Sequence, residues 1–303
     1  MHMKNNMVQS KVGIYYRNYQ LSEQKHIQQF EILRDSFLKS GVKLLHVTSD
    51  QDLEEIISLE HPDFVIYYDK DLYRAQLCDD ASIKVFNYAD TILTVDDKAL
   101  TYLAVKKYAE QNKNLWLIPS IYSTYPYYDD PKWKENFLIK AISTFNYPFI
   151  LKATKGSLGQ QVFLIKSKSD YCKAIELLPL QQIIAQEYIE TSFGKDLRVW
   201  VVGHKVVSSI VRESGEATEF RSSISLGGHY GTKYSLSSEQ IQLVISISKA
   251  LELDFGTIDF LFGLNDRLYF CEANTNAVFS NLDEEIGVAI TKHIMRKTYG
   301  RTK

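Results

Sequence analysis

Asp259, Glu272 and Asn274 are the residues of this chain whose types and spacing could hold a cation. The stretches "FGTIDFLFGLNDRL" and "LYFCEANTNAVF" read as two strands joined by a tight turn at Asn265-Asp266, residue types that accept left-handed backbone. Counting outward from that turn sets Leu264 against Arg267, Phe262 against Tyr269, Phe260 against Cys271 and Asp259 against Glu272. Side chains two apart on a strand share a face, so Asn274 joins Glu272. Like charges directly opposite destabilise a sheet, here by on the order of 3 kcal/mol at roughly 5 Å and an effective dielectric of about 20. A shared proton, a neighbouring Arg or Lys, or a divalent cation would offset that. Two carboxylates and an amide oxygen are also what magnesium accepts when it bridges substrate phosphates. The plain alternative is an edge hairpin whose acids face water.

Phosphate chemistry has its own candidates. Lys152 ends the apolar run "FILK" directly before "ATKGSLGQ", in which Gly156, Ser157 and Gly159 let backbone N–H groups approach an anion closely. Lys98 opens a helix, where a cation opposes the macrodipole and so points to another task. A Walker A motif, GxxxxGK[ST], is absent. In "GKDLRVWVVG" the polar face carries Asp196, Arg198 and Trp200; Arg198, with Arg221 of "EFRSS", could neutralise phosphoryl oxygens by two-point contacts. A salt bridge from Asp196 to Arg198 or another neighbour is the alternative.

The elements that must position these groups follow from periodicity. Residues 12–95 alternate short apolar runs with helical patterns: "VGIYY", a helix capped by Ser22 with Ile27, Phe30, Leu33 and Phe37 on one face, "KLLHV", an acidic helix start at Asp50 to Glu55, then "DFVIYY" and "IKVFNYA". This is a small parallel α/β unit, half of a Rossmann-like fold. It lacks GxGxxG after its first strand, which argues against a dinucleotide. Asp96 and Asp97 cap the helix "KALTYLAVKKYAEQ"; a strand "WLIPS" and an exposed aromatic loop "YSTYPYYDDP" follow, a loop that could line a substrate entrance. From 131 an α+β module runs helix, strand, glycine turn, strand, helix, strand. From about 191 come the hairpin "DLRVWVVGHKVVSSIVR", the loop "SLGGHYG", a helix, the carboxylate hairpin and a last helix. The divisions are 1–95, 96–190 and 191–303.

Composition narrows the class. The 303 residues are 45% hydrophobic and 24% charged, ordinary for a globular chain of two or three cores. Lys plus Arg number 35 and Asp plus Glu 37, so no overall charge draws the chain to nucleic acid or an anionic membrane. Cys78, Cys172 and Cys271 form no CxxC pair, which fits a reducing cytosol, and no run approaches a membrane span. A cytoplasmic location is expected.

Taken in order, "DDK", "PFILKATKGSLG", "QEYIETSFGKDLRVWVVG", "EFRSSISLGG", "FGTIDFLF" and "CEANTN" resemble the ATP-grasp ligases, and within them the RimK-like group of glutamate-adding enzymes, over about residues 95–295. The resemblance implies an ATP-grasp fold behind a Rossmann-like N-terminal domain. It implies that Lys98 and Lys152 touch ATP phosphates under a lid formed by "KGSLG", with Gln186, Glu187 and Ile189 as the adenine hinge and Asp196 near the ribose. Arg198 and Arg221 would face the γ-phosphate and an acyl phosphate, and Asp259, Glu272 and Asn274 would hold two magnesium ions, with manganese as a substitute. The implied partners are a small-molecule or peptide carboxylate and an amine; self-association into a homo-oligomer is left open. Gln161 stands where the family's lid often has glycine, Ser223 where Asn is usual, Leu226 where some members carry Arg, and "EANTNAVF" replaces the ending of many relatives. Those segments border the substrate side, so the acceptor is what they alter.

Overall fold

The computed structural model describes residues 11–81, 83–110, 115–156, 159–178, 180–279 and 284–300. Its elements in chain order begin with β1 (Lys11–Arg17), α1 (Gln24–Lys39), β2 (Val42–Thr48), α2 (Leu53–Glu60), β3 (Phe64–Tyr68), α3 (Leu72–Asp80), β4 (Lys84–Phe86) and α4 (Ala89–Asp96). Then come α5 (Lys98–Ala109), β5 (Trp116–Leu117), β6 (Ser120–Tyr122), α6 (Pro131–Phe145), β7 (Phe149–Ala153), β8 (Val162–Ile165), α7 (Lys168–Glu176) and β9 (Ile183–Glu187). The remainder is β10 (Lys195–Val202), β11 (Lys205–Glu213), β12 (His229–Lys233), α8 (Ser238–Ala250), β13 (Phe255–Phe262), β14 (Leu268–Asn274) and α9 (Glu284–Tyr299). The chain divides into two compact units, residues 1–92 with 253–256 and 275–303, and residues 93–252 with 257–274. The α/β and α+β character expected from the sequence is present.

In the first unit β2-β1-β3-β4 form a parallel sheet. One face packs Ile14, Tyr16, Val47, Val65, Tyr67 and Val85 into a core; the other carries Tyr15, Arg17, His46 and Tyr68. Helix α1 covers that second face, with Phe37 over Phe64 at 5.2 Å and Phe30 stacked on His46 at 4.6 Å. Its buried stripe is His26, Gln29, Leu33 and Phe37, not the expected Ile27, Phe30, Leu33 and Phe37, and Ile27 is exposed. Helix α9 is the reason. It approaches α1 so closely at Gly287 that a Cβ there would lie 2.6 Å from Cγ2 of Ile32, so α1 divides its apolar residues between the sheet and α9. The cap residue is Glu23, without a side-chain cap bond, and not Ser22. Residues 284–299, assigned from the sequence to the last domain, thus pack in the first unit.

The second unit holds two sheets, ordered β12-β11-β10-β13-β14-β5 and β6-β9-β7-β8. The antiparallel four-stranded sheet packs Phe149, Leu151, Ile165, Ile183 and Ala185 against Leu138 and Ala141 of α6 and Tyr171 and Ile175 of α7. "WLIPS" is not one strand. Pro119, which cannot donate to a ladder, separates β5 from β6, and the two join different sheets. The stretch read as the loop "SLGGHYG" runs into β12, which pairs with β11. Among the described residues, no helix is long and apolar enough to cross a membrane.

Candidate active site

Each of two hairpins of the six-stranded sheet carries a β-bulge, and the bulges set the site. Between β13 and β14 the turn lies at Asn265 and Asp266, both left-handed (φ 56° and 57°). Near it Phe262 faces Leu268 and Phe260 faces Phe270, one residue off the expected register. Cys271 is the extra residue; beyond it Asp259 faces Glu272 and Thr257 faces Asn274, as a plain count from the sequence requires. Between β10 and β11 Val201 faces Val206 but Trp200 faces Ser208, so Val207 is extra and Asp196 meets Arg212.

Arginines occupy the space between the acids. Arg198 donates to Asp259 twice, Nε to Oδ1 at 2.9 Å and Nη2 to Oδ2 at 2.6 Å. Arg212 donates Nη2 to the same Oδ2 at 2.9 Å, and grips Asp196 through Nε to Oδ1 at 2.8 Å and Nη2 to Oδ2 at 2.5 Å. Asp259 is 1% exposed, and burial opposes its charge, but Arg198 and Arg212 hold its carboxyl below the usual range. Burial opposes Arg212 too, yet Asp259, Asp196 and Glu272 raise it, so it stays charged. Burial pushes Asp196 up against the pull of Arg212. The expected salt bridge of Asp196 to a neighbour exists, with Arg212 as the partner and not Arg198. Both oxygens of Asp196 are thereby engaged by Arg212.

Lysines answer the second acid. Burial opposes the charge of Glu272, and Asp259 repels it, but Lys98, Lys152 and Arg212 together hold it below its ordinary value. Lys152 is buried, its Nζ 3.9 Å from Sγ of Cys271, whose thiol burial pushes up to about 11. The bulge explains this neighbour, since it turns Cys271 toward the side that Glu272 occupies. Asp97 caps α5 by accepting from the N–H groups of Ala99 and Leu100 at 2.9 and 3.1 Å, which fixes Lys98 as its first residue. Lys98 donates Nζ to the carbonyl of Gly156 at 2.9 Å, and Asp97 bridges Lys155 in antiparallel fashion, so the glycine turn is tied to α5.

Arg221 ties down the far side of the same turn. It donates Nη1 to the carbonyl of Gly159 at 2.8 Å and meets Glu219 through Nε to Oε1 at 2.9 Å and Nη2 to Oε2 at 2.7 Å. Gly159 has φ +71°, and a Cβ there would press on Leu226 at 3.2 Å, so glycine serves both conformation and space. Ser157 lies outside the described residues. Of the expected hinge, Gln186 is buried in β9 with Nε2 donating to Oγ of Ser120 at 2.9 Å, and Glu187 is exposed, its N–H donating to the carbonyl of Pro119 at 3.0 Å. Ile189, the third residue of that expectation, lies beyond β9, at the start of the turn Glu190–Ser192.

The donors fit a magnesium–phosphate ligand in chemistry. Asp259, Glu272 and Asn274 are all oxygen donors on neighbouring strand positions. Beside them Oγ1 of Thr257 and Nδ2 of Asn274 are buried without a partner, orphaned polar atoms at the same end of the hairpin. Among the described residues, His, Cys, Asp and Glu form no metal-sized group of three. A cleft of about 590 Å³ bounded by Trp116, Tyr234, Gln240 and Arg267 contains none of these residues; converging charge, more than concavity, marks the site.

Comparison with known proteins identifies the family. The RimK-like ATP-grasp domain matches residues 128–298. The chain belongs to the RimK-like ATP-grasp family. It is 30% identical over 82% of its length, and 86% of the relative's, to a Mycoplasma pneumoniae protein termed uncharacterized protein MG012 homolog. It is 36% identical to human N-acetylaspartylglutamate synthase A over 52% of this chain, which spans only 41% of the human enzyme. The ATP complex of D-alanine–D-alanine ligase from Bacillus anthracis superposes with a TM-score of 0.70 at 14% identity, over 95% of this chain and 97% of that one. The ATP-grasp fold is therefore shared, and this RimK-like chain is an ATP-grasp carbon–nitrogen ligase.

Sequence reading missed Arg212, Glu219 and Cys271, which the structure brings against Asp196 and Asp259, Arg221 and Lys152 respectively. Arg212 had a signal: it is the cation that β11 sets opposite Asp196, visible only once the bulge at Val207 is counted.

Proposed function

We propose that this protein uses ATP to join a carboxylic acid to an amine through an acyl phosphate, adding an amino acid such as glutamate to a small molecule or peptide. The observation that carries the reading is the convergence of Lys98, Lys152, Arg198 and Arg212 on Asp259 and Glu272 next to a glycine turn. Cations outnumber acids there, as a triphosphate requires.

In this reading Lys98 and Lys152 bind ATP phosphates, and Gly156 and Gly159 bring backbone N–H groups over them. Asp259, Glu272 and Asn274 would hold magnesium, which supplies charge neutralisation between the phosphates when bound. Arg198 and Arg212 keep Asp259 ionised and aimed. Arg221, already donating to the carbonyl of Gly159, stabilises the phosphoryl group as it moves to the substrate carboxylate. The chemistry asks for no protein nucleophile; positioning and charge do the work. The bond from γ-phosphorus to the bridging oxygen breaks as the carboxylate oxygen attacks, ADP leaves, and the amine then displaces phosphate.

The test is nucleotide release with panels of acids and amines. ADP and phosphate formed only when both partners are present support the reading; release that ignores the amine contradicts amide formation.

A further inference from the structure

A polar cluster in the first unit stands apart from the chemistry above. Arg17 closes β1, where the register sets it opposite Thr48 and Tyr68 at the carboxyl ends of β2 and β3. It is 5% exposed, its Nε is bonded to Nε2 of His46 at 2.8 Å, and its Nη1 is buried without a partner. Among the described residues no carboxylate pairs with it. The phenol oxygen of Tyr68, 3% exposed overall, is likewise unpartnered.

Helix α1 brings more. Phe37 sits over Phe64. His26 lies eleven residues earlier, about 16 Å along a helix at 1.5 Å per residue, and Tyr68 lies four residues on from Phe64, about 13 Å along a strand. The two therefore reach the same level, and Arg17 acts electrostatically on His26. His26 Nδ1 and both amide atoms of Gln29, which is 1% exposed and one turn on, have no partner either. These two are polar residues on the buried stripe of α1. Burial lowers the pKa of both His26 and His46, the latter to about 4, so at neutral pH Arg17 supplies the formal charge.

A buried guanidinium without a counter-ion, with unpaired polar atoms in the same unit, is unfavourable unless something accepts from it. In parallel α/β sheets ligands bind outside the carboxyl ends of strands where the order reverses, here between β1 and β3.

We propose that Arg17, His26, Gln29 and Tyr68 form a binding site for a small oxyanion at the carboxyl edge of the first unit's sheet. The shared chemistry is a carboxylate or phosphate group meeting Nη1 of Arg17 and the hydroxyl of Tyr68. The inference does not depend on the ligase reading. Its test is calorimetric titration of the nucleotide-free full chain with sodium succinate and, separately, sodium phosphate, each against chloride at equal ionic strength. Saturable binding of one or both to the wild type, weakened tenfold or more in Arg17→Met and several-fold in Tyr68→Phe, supports the site. Binding of succinate alone assigns a carboxylate, and binding of phosphate alone a phosphoryl group. Should Arg17→Met not fold, Tyr68→Phe and Gln29→Leu decide. Absence of binding above the chloride control, or affinities that the variants leave unchanged, as phosphate held by Lys98 and Lys152 would show, overturns it.

Discussion

Arg198 and Asp259 meet through two parallel hydrogen bonds, at 2.9 and 2.6 Å, with Asp259 1% exposed. That pairing reverses the stability expected of the acid pair. Repulsion between Asp259 and Glu272 alone would make removal of one acid neutral or stabilising. With Arg198 and Arg212 both donating to Asp259, the loss of its charge leaves Arg198 without a carboxylate and Arg212 with Asp196 as its remaining hydrogen-bonded one.

Asp259→Asn should therefore destabilise the nucleotide-free protein by about 3 kcal/mol, the scale of breaking a buried ion pair by removing one partner. Urea denaturation measures it. Unchanged or higher stability would mean that the arginines find other partners. ATP-dependent turnover should be lost in the same variant.

Lys152→Met should weaken ATP binding at least tenfold, about 1.4 kcal/mol, with the fold retained, because the methionine fills the space of the buried stem. It should also sharpen acid sensitivity. Glu272, held low by Lys98 and Lys152, contributes stability above its unfolded pKa that is lost as pH falls through its folded one. With one lysine gone the folded pKa rises, and the loss begins at higher pH. Calorimetry with ATP and acid titration of unfolding check the two parts.

Arg221→Lys should lower kcat by a factor of about 100, a scale typical of one lost charge-stabilising donor, with little change in KM for ATP. Lysine cannot reproduce the planar fork that now spans Glu219 and the carbonyl of Gly159. A raised KM with normal kcat would place Arg221 in ground-state nucleotide binding.

His46 gives a pH dependence in the first unit. Burial, then Arg17, lowers its pKa to about 4. Its unfolded value is about 6.5, so the unfolded chain binds more protons between the two. Stability is full above about pH 6.5 and falls as pH drops toward 4, by on the order of 2 kcal/mol after allowance for its partial exposure. His26 adds to this in the same direction. Denaturation at several pH values should show the slope, and His46→Gln should flatten it.

Much of the fold and site was legible because its signals are local. The meeting of Asp259 and Glu272 came from a turn type and a count of two, and the cap at Asp97 from a side chain and its next three residues. The bulges at Cys271 and Val207 have no such signal. They moved half of one hairpin's register and hid Arg212, the hub of the ion network. The α1 stripe misled for a related reason: the helix serves two neighbours, and Gly287 of α9 drew Ile32 away from the sheet. Partners distant in sequence decided each of these.

Mass spectrometry of products formed from ATP, magnesium and mixed acids and amines tests the central claim most directly. The account predicts ADP, phosphate and a product whose mass equals acid plus amine less one water, all abolished in Asp259→Asn. AMP and pyrophosphate as products, or tight ATP binding with no ligation across the panel, would contradict it.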